Sequence, residues 1–370
     1  MDTPNAVGFA EPDYTLAQFG GLEAVDGVEH APPFETLHGV LPDLQRGVAR
    51  AGAVDPILVT GEIHTRLVPH STALTRASAE EMLTIVPGYP VRWRTRPSSV
   101  GTSPTIAAGF DCGLPRVSGA AVHAIGTAAV HAVVCGGRVL QSSAHTGVVA
   151  AESSQRQVWS HYLSRVGVAE VVSRVTPQTR KRLVDGFLGF VDPPPGTVDM
   201  PSITQHLLNR VSMWSGLDQR APFRAVTTRL RWAAHIGAAA TLRFRLEEGR
   251  VRTVVVTVRN ETELAAVGAF CEDLARHDWL LTVVEAITDQ VDAMPLGADV
   301  TQAVAPVLAG VTHLWTPGVH TPAVLRPLWR QLEADPAFSA EWFARLGHLR
   351  SRTDFVAPAA SQREFAVKTW

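Results

Sequence analysis

Residues 241–292 constrain the fold more than any other part of this sequence. Two alternating segments, TLRFRLE and VRTVVVTVR, lead into the run NETELAAVGAFCEDLARHDWLLTVVEAITDQVD. Alternation puts Leu242, Phe244 and Leu246 on one strand face, and Val254, Val256 and Val258 supply the same face of the second strand across a turn at Glu248 and Gly249. Asn260 suits an N-cap, with Glu263 three residues on, and Leu264, Val267, Cys271 and Leu274 then share one helical face. Hairpin and helix can bury one another. A second helix is expected to be capped by Asp278 and to carry Leu280, Val284, Ile287 and Val291 on its apolar side. Nearly every apolar residue of the stretch, Cys271 included, is thereby assigned to packing, and little remains there for catalysis.

The rest of the chain arranges itself around that unit as an α+β protein. Residues 1–50 form an acidic arm, in which eight acids face only Arg46 and Arg50. Residues 51–154 have a β texture and are expected to form an antiparallel, β-rich domain, with closure into a barrel as one option. DPILVTGEIHTRLVP and PVRWRTRP alternate, ASAEEMLTIV reads as a short helix with Ser78 as its cap, and Gly136 and Gly137 suit a two-residue hairpin turn with positive φ. Residues 155–240 read as a helical connector containing VWSHYLSRV, TPQTRKRLVDGFLGFV, SITQHLLNRVSMW and TTRLRWAAHI, broken by the PPPG at 193–196. Residues 241–355 make the hairpin and helix domain, and 356–370 read as a tail.

Composition sets limits on function. A net charge of -2 over 370 residues argues against a nucleic-acid coat, and three widely spaced cysteines make neither a disulfide framework nor a zinc cluster. No basic and apolar leader opens the sequence, and the most apolar window is interrupted by His123 and His131, so a cytoplasmic protein without membrane insertion is expected. Walker A, G-x-G-x-x-G, H-E-x-x-H, paired C-x-x-C and G-x-S-x-G patterns are all missing. No cofactor or metal is therefore assigned from motifs.

The candidates that remain are scattered. Glu62 and His64, two apart on a strand, would face the same way, as an acid/base pair or two metal ligands require; a solvated strand face gives the same pattern. His123, His131 and His145 could join them if the strands pair suitably. Cys135 ends a strand before two glycines, where a nucleophile could be exposed with His145 or His161 as base, or a small apolar residue could enter a hairpin. Asp111 in GFDCG is a turn candidate. Arg92, Trp93, Arg94 and Arg96 could present guanidinium groups and a stacking ring to single-stranded nucleic acid, or form a solvated or acid-paired face. Trp315, beside a Pro/Gly loop, could anchor a protein contact.

Five stretches, ILVTGEIHTRLVP, HAVVCGGRVLQSSA, TRLRWAAHI, CEDLARHDWLLTVVEAI and HLWTPGVHTPAVLRPLWRQLE, occur in that order between about residues 50 and 350. In them the chain resembles an uncharacterised actinobacterial family encoded in a conserved cluster with a variant P-loop protein and a SAM-dependent methyltransferase. The resemblance implies company rather than chemistry: a multi-protein bacterial system, regulatory or defence-like, with a P-loop NTPase encoded nearby as a partner. It carries no catalytic residue with it. The function expected is that of a non-catalytic component or adaptor acting through protein contacts. The alternatives are an enzyme with an unfamiliar site in the β-rich domain and a nucleic-acid binder using the Arg-rich strand.

Overall fold

The apolar, Ala-rich run after residue 121 folds as a single 14-residue strand that forms the spine of a ten-stranded mixed sheet in this computed structural model. The structure describes residues 56–117, 121–153, 155–171, 176–189, 192–247, 250–295 and 300–367, with side chains up to residue 353. The acidic arm of residues 1–50 and the turn at Glu248 and Gly249 lie outside the described residues.

The strands are β1 (Leu58–Leu67), β2 (Arg92–Arg94), β3 (Val100–Thr102), β4 (Ile106–Leu114), β5 (Val122–Cys135), β6 (Val139–Ala150), β7 (Val168–Val171), β8 (Thr228–Ile236), β9 (Thr241–Leu246) and β10 (Val251–Val258). Their order across the sheet is β2-β3-β5-β7-β6-β1-β8-β10-β9, with β4 paired beside β3 along β5, and β5 also paired with β6. β5 and β6 are joined at Gly136 and Gly137, whose φ values of 57° and 64° few other residues adopt without strain. Where β5 and β6 diverge, β7 is inserted between them, antiparallel to the first and parallel to the second.

Helices cover both faces. On one side lie α1 (Arg76–Leu83), α3 (Pro177–Gly189) and α4 (Met200–Ser212), packed on Leu58, Val130, Leu140, Ala144 and Val148. On the other lies α5 (Glu261–Asp292), with α6 (Val300–Val311), α7 (Arg326–Ala334) and α8 (Phe338–Val367) around it, while the short α2 (Trp159–Leu163) covers the end of β4 and β5. The cap of α5 is as the sequence indicates. Asn260 Oδ1 accepts the Glu263 N–H at 2.9 Å, and the Glu263 carboxylate accepts the Arg259 N–H at 2.9 Å. Val254, Val256 and Val258 on β10 and Val267, Cys271 and Leu274 on α5 are fully enclosed, each large side chain contributing about 1.5–3 kcal/mol relative to exposure.

Several expectations are corrected. The sheet is open and not a barrel: β8, β10 and β9 extend it beyond β1 and do not turn back to the β2 edge. It is not purely antiparallel, since the β6–β7 and β8–β10 ladders are parallel. That one sheet draws strands from residues 51–154, 155–240 and 241–355 alike. TTRLRWAAHI is the central strand β8, whose Leu230 and Trp232 face α5 and whose Arg229 and Arg231 face a buried carboxylate, a two-sided burial that hides the alternation. No second helix starts at Asp278: α5 is continuous over 32 residues, and the Asp278 carboxylate instead receives Arg252 Nε at 2.9 and 3.1 Å. Thr75, not Ser78, caps α1, its hydroxyl accepting the Ser78 N–H. α8 runs past Thr353 into the segment expected as a tail. Among the described residues, no helix is long and apolar enough to cross a membrane.

Candidate functional site

Four residues one turn apart on α5, Leu264, Gly268, Glu272 and Arg276, face the sheet along a single row. Gly268 places no side chain in the space over Trp232, and a cleft of about 430 Å³ opens between α5 and β1, β2, β3, β5, β6 and β8. Its floor is set by strand alternation. His131 projects from β5, and Gln141 and His145 from β6, all on the α5 side, with Trp232 of β8 beside them. Arg92, Trp93 and Arg94 form one wall, and Asp273, Arg276 and His320 another.

The polar groups of the cleft are linked. His131 Nε2 lies 2.7 Å from Glu272 Oε1, and His145 stands edge-on to His131 with ring centroids 6.4 Å apart. Burial alone would raise the Glu272 carboxyl, but His131, the Ser143 hydroxyl and His145 together hold it below the usual carboxylate range. Burial, reinforced by His131, pushes the His145 ring down to about 4, so it is neutral at neutral pH. Asp273 is bound by Arg276 and by the Thr321 hydroxyl at 2.7 Å, and burial nonetheless raises its pKa. Arg94 donates to the His320 carbonyl at 3.1 Å, and Ser98 Oγ lies 3.1 Å from His320 Nε2. Burial and the Arg276 charge lower the His320 ring to about 4.

The sequence candidates fall in different places. Glu62 and His64 do form a pair, with Nε2 and Oε1 2.8 Å apart, but on the α4 face, away from the cleft. There Glu62 also receives Arg229 Nε at 2.8 Å and Arg231 Nε at 3.2 Å, and His64 Nδ1 meets Gln205 Oε1 at 3.0 Å. Burial would raise the Glu62 carboxyl; His64 and the two guanidinium groups outweigh it and lower the pKa. The carboxylate and the imidazole of this cluster are paired, while Arg229 Nη2 is buried without a partner. Cys135 is fully buried at the far end of β5, with Ser98 Oγ 3.6 Å away, and Val139, its ladder partner, is six residues from His145, or about 20 Å along the strand.

Asp111 lies on β4 rather than in a turn, bound by His123 and Arg156, each at 3.0 Å. His161 pairs with Glu170 at 2.8 Å. Trp93 packs over Gly101 with the Arg76 guanidinium 5.0 Å from its ring centre, and Arg96 lies beyond the end of β2. Trp315 stacks face to face on Trp342, centroids 4.3 Å apart, with the His277 ring against its edge. Of the sequence candidates, His145, Arg92, Trp93 and Arg94 thus line the cleft, as does His131, so that neither histidine joins Glu62 and His64. Glu272, Arg276, Gln141 and His320 were not singled out. A readable signal existed for two of them: the four-residue spacing of Gly268, Glu272 and Arg276 puts a gap, an acid and a base on one buried helical row.

Among the described residues, no three His, Cys, Asp or Glu side chains are grouped to hold a metal ion. Comparisons with protein-family models, curated proteins and solved structures found no match.

Proposed function

We propose that the protein holds a small acidic molecule in the cleft between the sheet and α5, and that the His131–Glu272 pair transfers a proton to or from it. One observation carries the proposal. Gln141, Trp232 and Arg276 are each less than a tenth exposed, all line the cleft, and each keeps a polar atom without a partner: Gln141 Oε1, Trp232 Nε1 and Arg276 Nε. A buried polar group left unmatched costs about 1–3 kcal/mol, and three along one cavity support a site completed by a ligand. Arg92, Arg94 and Arg276 favour an acidic ligand, and an ionised Glu272 steadies the His131 ring as a proton carrier. Small molecules released from the purified protein by denaturation, after exposure to a host cell extract, can be identified by mass spectrometry. The wild type should yield an acidic compound near stoichiometry and Gly268→Phe, which fills the cleft, should not; equal yields, or none from the wild type, would reject the proposal.

The adaptor role is a second reading, supported by Met213, Phe343 and Leu246, which are 76%, 63% and 64% exposed and have no part in the cleft. It includes a P-loop NTPase as partner. Crosslinking in the host tests it: a partner captured by the wild type should be lost with Phe343→Ser or with Met213→Ser, and capture of the same proteins by all three would remove these two positions from consideration.

A further inference from the structure

On the sheet face opposite the cleft, α3 and the β8–β10–β9 end of the sheet enclose a groove of about 520 Å³. Arg180 and Lys181 enter it from α3. Arg243 and Arg245 enter from β9, two residues apart on one strand face and so about 7 Å apart at the backbone. Among the described residues, none of these four side chains has an ion pair or hydrogen bond. Two carboxylates share the groove, Asp185 and Glu247, and Glu247 is already engaged by the Thr253 hydroxyl at 3.1 Å. The cations therefore outnumber the acids, and they surround a floor made apolar by Val184, Leu188 and Val255.

His235 stands in the groove with its Nδ1 buried and unpartnered. Burial lowers its pKa, and the charges of Arg180 and Arg243 lower it further, so cations from both walls act on one ring. Such convergence of like charge is unfavourable while the groove is empty, and an anion seated among the guanidinium groups would reverse it.

We infer that this groove binds a phosphorylated small molecule, its phosphate groups held by Arg180, Lys181, Arg243 and Arg245 and its less polar body lying on Val184, Leu188 and Val255. Phosphate fits better than carboxylate because the cations stand on opposite walls around a volume, where a tetrahedral group of up to two charges can be met from several sides. A single planar carboxylate would use one guanidinium fork and leave the others unmatched. The sheet separates this groove from the α5 cleft, so the inference does not rest on the function proposed there.

Calorimetric titration of the full chain tests it, with sodium tripolyphosphate, a nucleoside triphosphate, citrate and a thymidine oligonucleotide as probes at low and physiological salt. Tripolyphosphate and the nucleotide should bind saturably, citrate far more weakly, and the His235 ring should titrate at higher pH in the complex by NMR. Tighter binding of the nucleotide would identify a ligand with an organic body and equal binding a bare phosphate chain; either result supports the inference. R243S with R245S on the exposed edge strand, and R180S on α3, should each weaken binding roughly tenfold or more while the circular dichroism spectrum is unchanged. The inference is overturned if neither phosphate probe binds at low salt, if citrate binds equally, if the variants bind as the wild type does, or if the oligonucleotide binds far more tightly with the same dependence on these arginines.

Discussion

Glu62 and His145 stand on neighbouring strands with their side chains on opposite faces of the sheet, because Gly61 is the residue paired with His145 while Glu62 pairs with Ala144. One belongs to an ion cluster under α4, the other to an open cleft under α5. Glu62→Ala removes the buried carboxylate that His64, Arg229 and Arg231 share and should cost about 3–5 kcal/mol. With His145→Ala added, the losses measured by urea unfolding should sum to within about 0.5 kcal/mol. A coupling well above that would mean that the two clusters communicate through the sheet.

The cleft should respond to acid through His145. Its ring is held at about 4 against an ordinary 6.5, so on acidification the unfolded chain takes up this proton first. The stability contributed by the neutral ring is present above pH 6.5 and is lost as the pH falls towards 4, a difference on the order of 3 kcal/mol. NMR titration should find the ring protonating near 4, and His145→Phe should flatten the stability profile between those values. A ring that titrates near 6.5 would contradict its desolvation by β6 and Trp232.

Gly268 separates packing from function. A Cβ added there would meet only Trp232 at 3.8 Å, an ordinary contact. Gly268→Ala should therefore fold normally and gain about 0.5–1 kcal/mol from the stiffer helix. The bulky Gly268→Phe should retain the fold by circular dichroism and lose the ligand.

The N-terminus of α5 depends on one side chain. Asn260→Ala removes the acceptor for the Glu263 N–H, and a loss of about 1 kcal/mol in thermal or urea unfolding is expected. Asn260→Asp should keep most of it, since a carboxylate at that end also favours the helix dipole.

Part of residues 241–292 was legible because Asn260, Cys271 and the row of valines need no knowledge of the rest of the chain, whereas Arg252, Thr253 and residues 273–280 are buried on further sides by elements distant in sequence. β8 was not legible. Its Arg229 and Arg231 are paired with Glu62, a residue 167 and 169 positions away, so the strand looked polar enough for a helix surface. The same holds for the cleft. His145 could be picked out on β6, but its relation to His131 depends on the β5–β6 register, and Glu272 joins them only through the crossing of α5 over that ladder. Asp278 misled as a cap because its partner, Arg252, lies on the strand beneath the helix. Pattern reveals which face of an element is apolar, whereas the pairing of buried charges is decided by which elements meet.

α5 supplies Phe270 and Leu274 to the core shared with β8 and β10, and Trp279, Leu280 and Val284 to the core shared with α6 and α8. At 1.5 Å per residue it spans about 48 Å without a break. Neither group of side chains can be released without stripping the helix from the other, so heat or denaturant should dissolve both in one cooperative step. A single melting transition, reported alike by tryptophan fluorescence and far-ultraviolet dichroism, is the expected result, and two separated transitions would show that the helix parts in the middle.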